Sequence, residues 1–228
     1  MIVYIVIAGV FSLIGGVVSN RLKSKFKKYS QIGITSGLSG AEVARKMLSH
    51  YNINDVNVIE GKGFLSDHYN PRTKTIALSP HVYNGRTVAS AAVASHECGH
   101  AVQHDTAYGW LQMRSAIVPF VNFASMAQQY LLMIALGFFG MGGGSTILLL
   151  TIAAFAVTTA FSLITLPVEF DASRRALVWL DSSGITGQDR EYYGARDALK
   201  WAALTYVVAA LSSMVILVYL ILRYVGSD

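Results

Sequence analysis

The fold class this sequence predicts is a mainly α-helical membrane protein of four transmembrane helices, with a small α+β domain on the cytoplasmic side. Three observations predict it. Of 228 residues, 53% are hydrophobic and only 14% charged. The apolar residues gather into four runs, near 2–19, 116–139, 145–166 and 202–222, each close to the roughly 20 helical residues that cross a bilayer. Finally, 21–115 and 167–201 are charged and patterned, whereas G-M-G-G-G at 140–144 leaves room only for a tight hairpin between the middle two runs.

In chain order the predicted parts are a transmembrane helix over 1–20, a folded region over 30–112, a transmembrane hairpin over 116–166, helices over 167–201 and a last span over 202–222. The first run reads as a retained anchor, because Arg21, Lys23, Lys25, Lys27 and Lys28 follow it instead of preceding it and no small-residue cleavage site stands before them. Segment 21–115 holds twelve lysines and arginines, 167–201 holds five, the glycine connection none and the tail only Arg223. By the positive-inside rule both long connections face the cytoplasm, and this alternation is consistent across all four spans. The formal charge of +5 is thus a topology determinant and bilayer anchor; no aromatic-studded basic groove suggests nucleic acid. Cys98 is the single cysteine, which excludes an intrachain disulfide.

Within the first cytoplasmic segment, Ser39-Gly40-Ala41-Glu42 has capping-box spacing and opens an amphipathic helix ending near His50. V-N-V-I-E at 56–60 and T-K-T-I-A-L-S at 73–79 read as short strands, connected through D-H-Y-N-P-R with a turn at Asn70-Pro71. An alanine-rich helix is predicted from about Thr87 to His104.

That helix carries S-H-E-C-G-H. His96 and His100, four residues apart, project from one helix face and can grip one metal ion, while Glu97 can reach a water on that ion without being a ligand. This is the H-E-x-x-H pattern of zinc proteases, in which the glutamate takes a proton from water and passes it to the leaving amine. A catalytic zinc site usually takes three protein ligands. His104 continues the series, but three successive positions on a straight helix span about 12 Å, too far for one ion. A histidine six residues beyond His100 is also absent, since that position is Thr106. The remaining candidate is L-P-V-E-F-D-A-S-R-R-A, where Pro167 suits the first turn of a new helix bearing Glu169 and Asp171. Two residues apart on a helix, these acids point in nearly opposite directions, so one of them faces the metal. Two membrane crossings separate His100 from Glu169, which returns both to the same side.

S-H-E-C-G-H-A-V-Q, with D-H-Y-N-P-R-T-K-T-I-A-L-S before it and P-V-E-F-D-A-S-R-R-A-L after it, resembles the bacterial YugP-like neutral zinc metallopeptidases, integral membrane proteins. More distantly, the order of elements is similar to membrane gluzincins of the HtpX and CAAX-prenyl protease type. The resemblance implies a zincin-like domain in a bacterial cytoplasmic membrane, one Zn2+ ion held by His96, His100 and Glu169, and Glu97 as general base. Those gluzincins carry an aspartate four residues past the ligand glutamate, where this chain has Ser173. Asp171, Ser173 and His104 are therefore candidates for supporting the ligands. The resemblance also suggests that Thr73, Lys74, Thr75, Ile76 and Ala77 form an edge strand that pairs with an extended substrate.

Arg174, Arg175, Tyr192 and Tyr193 are eligible as oxyanion donors, and Asp67 reads as a turn cap. The expected partners are a polypeptide substrate, membrane-associated because Glu169 lies a few residues past an apolar run, and the lipid bilayer. The alternative is a non-catalytic zinc-binding membrane scaffold, which a fourth protein ligand would favour. A transporter finds little support, since Gln128 and Gln129 are the main polar pair within the spans and no charges mark an ion path.

Overall fold

The computed structural model describes residues 2–63, 65–137, 144–187 and 190–226. Its elements are α1 (Ile2–Tyr29), α2 (Gly40–His50), β1 (Asn57–Glu60), β2 (His68–Asn70), β3 (Thr75–Leu78), α3 (Pro80–Tyr83), α4 (Val88–Asp105), α5 (Gly109–Gly137), α6 (Gly144–Ser182) and α7 (Arg190–Val225). The chain is mainly helical and forms two compact units. One comprises Met1–Val17, Gln112–Leu166 and Thr205–Asp228; the other comprises Val18–Leu111 and Pro167–Leu204.

The first unit holds the apolar runs. Three helices, Ile2–Tyr29, Ser145–Ser182 and Arg190–Val225, are long and apolar enough to cross a membrane. α5 is also a 29-residue helix, interrupted by the polar Asn122, Gln128 and Gln129. The run expected at 116–139 ends outside the described residues, as does most of the glycine connection, including Gly140. Leu148, Phe155, Ile216 and Leu220 form a small buried cluster. Gln128 has a local explanation: its amide oxygen accepts a 2.9 Å hydrogen bond from Thr158 Oγ1.

The second unit is built from helix and strand. Ser39 and Glu42 form the expected capping box on α2, and Thr87 caps α4 by accepting from Ser90 N. The sheet order is β1-β3-β2, with β1 parallel and β2 antiparallel to β3. Strand β2 occupies part of the segment read as a turn. The turn itself follows it: Asn70 Oδ1 accepts from the amides of Arg72 and Thr73, and Lys74 takes a φ of +47°. β3 is consequently the central strand. Its register with Asn57–Glu60 on one side and His68–Asn70 on the other engages Thr75, Ile76 and Ala77 from both sides, which corrects the expectation that Thr73–Ala77 forms a free edge.

Helices α2 and α4 pack together against the sheet, and Val43, Met47, Leu78, Ala91, Ala94 and Val102 lie in one core. Alanines along α4 permit this closeness. Gly99 is the extreme case: a methyl group there would lie 2.5 Å from the carbonyl oxygen of Ala172 on α6. Backbone against backbone at that point brings the α4 histidines beside the α6 acids.

No new helix begins at Pro167; α6 runs through it unbroken. An interior proline removes one backbone hydrogen bond and costs about 3 kcal/mol. Burial opposes that cost, because Val168, Ala172, Ala176, Trp179 and Leu180 recur at helical spacing and are all at most 1% exposed. The same reasoning extends α1 to Tyr29, where Phe26 and Tyr29 enter the core beyond the run that ended near residue 20. Tyr29 Oη is tied to Asp197 Oδ2 on α7 at 2.6 Å.

Candidate metal centre

His96, His100 and Glu169 offer ligand atoms that all lie within 4.8 Å of one another. Glu169 Oε2 is 3.3 Å from His96 Nε2 and 3.7 Å from His100 Nε2. Donors about 2.0–2.1 Å from a tetrahedral zinc stand about 3.3 Å apart, so the residues fit such an ion after small adjustments. Helix spacing supplies the pair of rings, which meet edge to face with centroids 4.8 Å apart. The close approach at Gly99 supplies the carboxylate. Glu169 joins the rings and Asp171 does not, as their opposite directions on α6 require.

Two further contacts hold the rings, and one of them fixes a tautomer. The Gln103 amide nitrogen donates to the carbonyl of Val168 at 2.8 Å and to Asp171 Oδ2 at 3.0 Å. Its oxygen must therefore accept, and it does so from His100 Nδ1 at 3.0 Å. With Nδ1 holding the proton, His100 Nε2 presents its lone pair to the cluster, the form a metal requires. Ser173 Oγ lies 3.2 Å from His96 Nδ1 and orients that ring, as a hydroxyl that serves either as donor or as acceptor. Burial pulls the His100 pKa down, but the hydrogen bond with Glu169 and the nearby Glu97 charge outweigh it and the net shift is upward.

Glu97 is only 8% exposed and makes no hydrogen bond or ion pair among the described residues. A carboxylate in such surroundings is costly unless something outside the protein partners it. Among the described residues no fourth histidine, cysteine, aspartate or glutamate joins the cluster.

Other predicted residues lie elsewhere. His104 faces Tyr69 on β2, Nδ1 to Oη at 2.7 Å, and so supports no ligand. Asp171 acts through Gln103 while also binding Arg174 at 2.6 Å and Arg175 at 2.5 Å. That occupies both arginines expected as oxyanion donors. Tyr192 and Tyr193 stack edge to face on each other at the start of α7. Asp67 accepts from Ser79 N at 2.7 Å, holding the end of β3. Gln103, not singled out by the sequence analysis, is fully buried. Its i, i+3 spacing from His100 was the only signal.

The fold and this cluster define a class, a largely helical protein with apolar helices and a two-histidine, one-carboxylate candidate metal centre. The chain belongs to the family described as "Putative neutral zinc metallopeptidase", whose family model matches residues 3–225. It is 46% identical to the "Putative membrane protease YugP" of Bacillus subtilis (strain 168) over 195 residues, covering 85% of this chain and 84% of that protein. No solved structure matches.

Proposed function

We propose that this protein is an integral membrane, gluzincin-like zinc metalloendopeptidase of four spans with its active site facing the cytoplasm. The observation that carries this reading is the convergence of His96, His100 and Glu169, with no further ligand among the described residues, on one point. Three protein ligands with an open position are the usual donor set of a catalytic zinc, whereas structural sites close with four. Family membership supplies the metal, and the relative's name supports protein substrates at a membrane. The basic residues of 21–115 and 167–201 support the cytoplasmic orientation.

A bound zinc ion supplies Lewis acidity, polarising a carbonyl and acidifying water. The protein's own residues do the rest. His96 and His100 are held with Nε2 toward the site by Ser173 and Gln103. Glu97 takes a proton from the attacking water and delivers it to the amine as the peptide C–N bond breaks. Glu169 shares a helix with the apolar run 145–166, so polypeptide segments at the membrane surface are the favoured substrates.

The test is Glu97→Gln in the full-length protein purified in detergent. Zinc, measured by elemental analysis, is retained at the wild-type level, while cleavage of a membrane-tethered reporter falls about 10²–10⁴-fold, the usual share of general base catalysis. Hydrolysis that survives this change overturns the assignment. A soluble extended reporter cleaved as fast as the tethered one overturns the substrate class.

A further inference from the structure

Beside the candidate metal centre, helices α6 and α7 line an open cavity of about 480 Å³ with a mixed lining. From α6 it receives Phe170, Ser173, Arg174, Leu177 and Val178, a stripe at helical spacing. From α7 it receives a second stripe, Tyr192, Arg196 and Lys200 four residues apart, with Leu199 and Leu204 beside them. Its volume falls within the range of about 300–1,000 Å³ that holds small organic ligands.

The lining combines two features that water alone does not suit. Phe170 is 49% and Val178 59% exposed, so large apolar side chains are left uncovered. Arg174 is already engaged by Asp171, but neither Arg196 nor Lys200 pairs with a carboxylate among the described residues. An occupant that satisfies both features has an anionic head and an apolar body. The chain itself points to the source: α7 continues from Lys200 directly into the apolar run 202–222, and α6 reaches Phe170 directly out of the run 145–166. Unpaired basic side chains at the cytoplasmic end of an apolar helix meet the anionic headgroups of that leaflet.

We infer that this cavity binds the headgroup and upper acyl region of one anionic phospholipid, with Arg196 and Lys200 holding the phosphate and Phe170, Ala203 and Leu204, the lining residues nearest the two apolar runs, meeting the chain. The inference rests on the membrane assignment proposed above but not on the metal or its chemistry. Because Ser173 both lines the cavity and contacts His96, a lipid there would form one wall of the approach to the metal centre.

The experiment titrates the full-length protein, in a neutral detergent, with phosphatidylglycerol and with phosphatidylcholine of the same acyl chains, counting bound lipid by native mass spectrometry. Phosphatidylglycerol should saturate at one tight site per chain and phosphatidylcholine should not. Arg196→Gln with Lys200→Gln should weaken that site about thirtyfold, as expected for two basic residues at a lipid surface. The charge-preserving exchange Arg196→Lys with Lys200→Arg should keep it, which separates lost charge from lost fold. Equal binding of the two lipids, or an unchanged site in the glutamine variant, overturns the inference. Displacement of the lipid by glycerol phosphate, or by an acidic peptide, at comparable concentration also overturns it, and assigns the cavity to free phosphate or to substrate instead. Release of the protein from membranes by alkaline carbonate would instead refute the membrane assignment, and the detergent titration reads out independently of that result.

Discussion

Helices α1 and α4 differ in where their apolar surface goes. α1 is the more hydrophobic, yet none of its apolar window is buried: Ile2, Val3 and Leu13 are 76%, 55% and 74% exposed. α4, of alanines, serines and two histidines, has Ala91, Ala92, Ala94 and Ser95 at 0%. The exposed apolar part of α1, up to Val17, belongs to one unit and α4 to the other. In the one, apolar faces point outward and ask for lipid; in the other, small side chains let backbones approach until polar groups can be buried together and satisfied. Hydrophobicity therefore marks the unit that leaves its apolar surface uncovered, and smallness marks the unit that builds the candidate site.

Replacing Glu169 breaks the second unit's arrangement most severely. Glu169→Ala leaves two imidazoles as the only donors of the cluster among the described residues, and zinc content should fall from about one ion per chain to a small fraction of that. Elemental analysis after gel filtration checks it, with the exposed-face control Leu13→Ala keeping its metal. Full zinc retention in Glu169→Ala would detach the carboxylate from the site.

Gln103→Leu should produce a smaller and more telling loss. The ligands all remain, but the His100 Nδ1 proton and the Val168 carbonyl lose their buried partner. Removing such a supporting hydrogen bond typically weakens metal affinity about 10–100-fold. A chelator titration measures this, and an unchanged affinity would reduce Gln103 to core packing.

This residue also shows what sequence could not display. The histidine pair, the capping box of Ser39 and Glu42 and the helix cap at Thr87 depend on neighbours within four positions, so periodicity and spacing revealed them. Glu169 was legible as one of two acids, because helix geometry forces Glu169 and Asp171 apart. What escaped depends on distant partners. β2 spans only His68–Asn70, too short for an alternating pattern, and without it β3 could not be recognised as central. Pro167 looked like a helix start because nothing local reveals the buried stripe from Val168 to Leu180 that carries the helix through. Gln103 finds its partners on α6.

A matched pair of glycines compares the units directly. Gly99→Ala drives a methyl group to 2.5 Å from a backbone oxygen of Ala172, and overpacking of this kind costs about 1–3 kcal/mol. Gly16→Ala on α1 meets nothing within 4 Å and should be neutral or gain up to about 1 kcal/mol from helix propensity. Thermal unfolding in detergent should separate the two variants by several degrees, and equal transitions would mean that the α4–α6 approach is not tight.

The smallest effect concerns Cys98, whose value is as a reporter. It is 0% exposed, its Sγ lies 3.4 Å from the carbonyl oxygen of Ala44, and burial raises its pKa well above the usual thiol range. A raised thiol pKa means less thiolate at any given pH, so alkylation of the folded protein should stay negligible from pH 7 to 9. In the denatured chain, with an ordinary thiol pKa of about 8.5, the rate should instead climb about tenfold per pH unit below that value. Because Cys98 belongs to the buried core of the second unit, its labelling reads the opening of that core. Exchanging detergent for lipid nanodiscs should leave the labelling rate unchanged while Gly99→Ala accelerates it. A rate that follows the lipid and ignores Gly99→Ala would mean that the buried unit has no stability of its own.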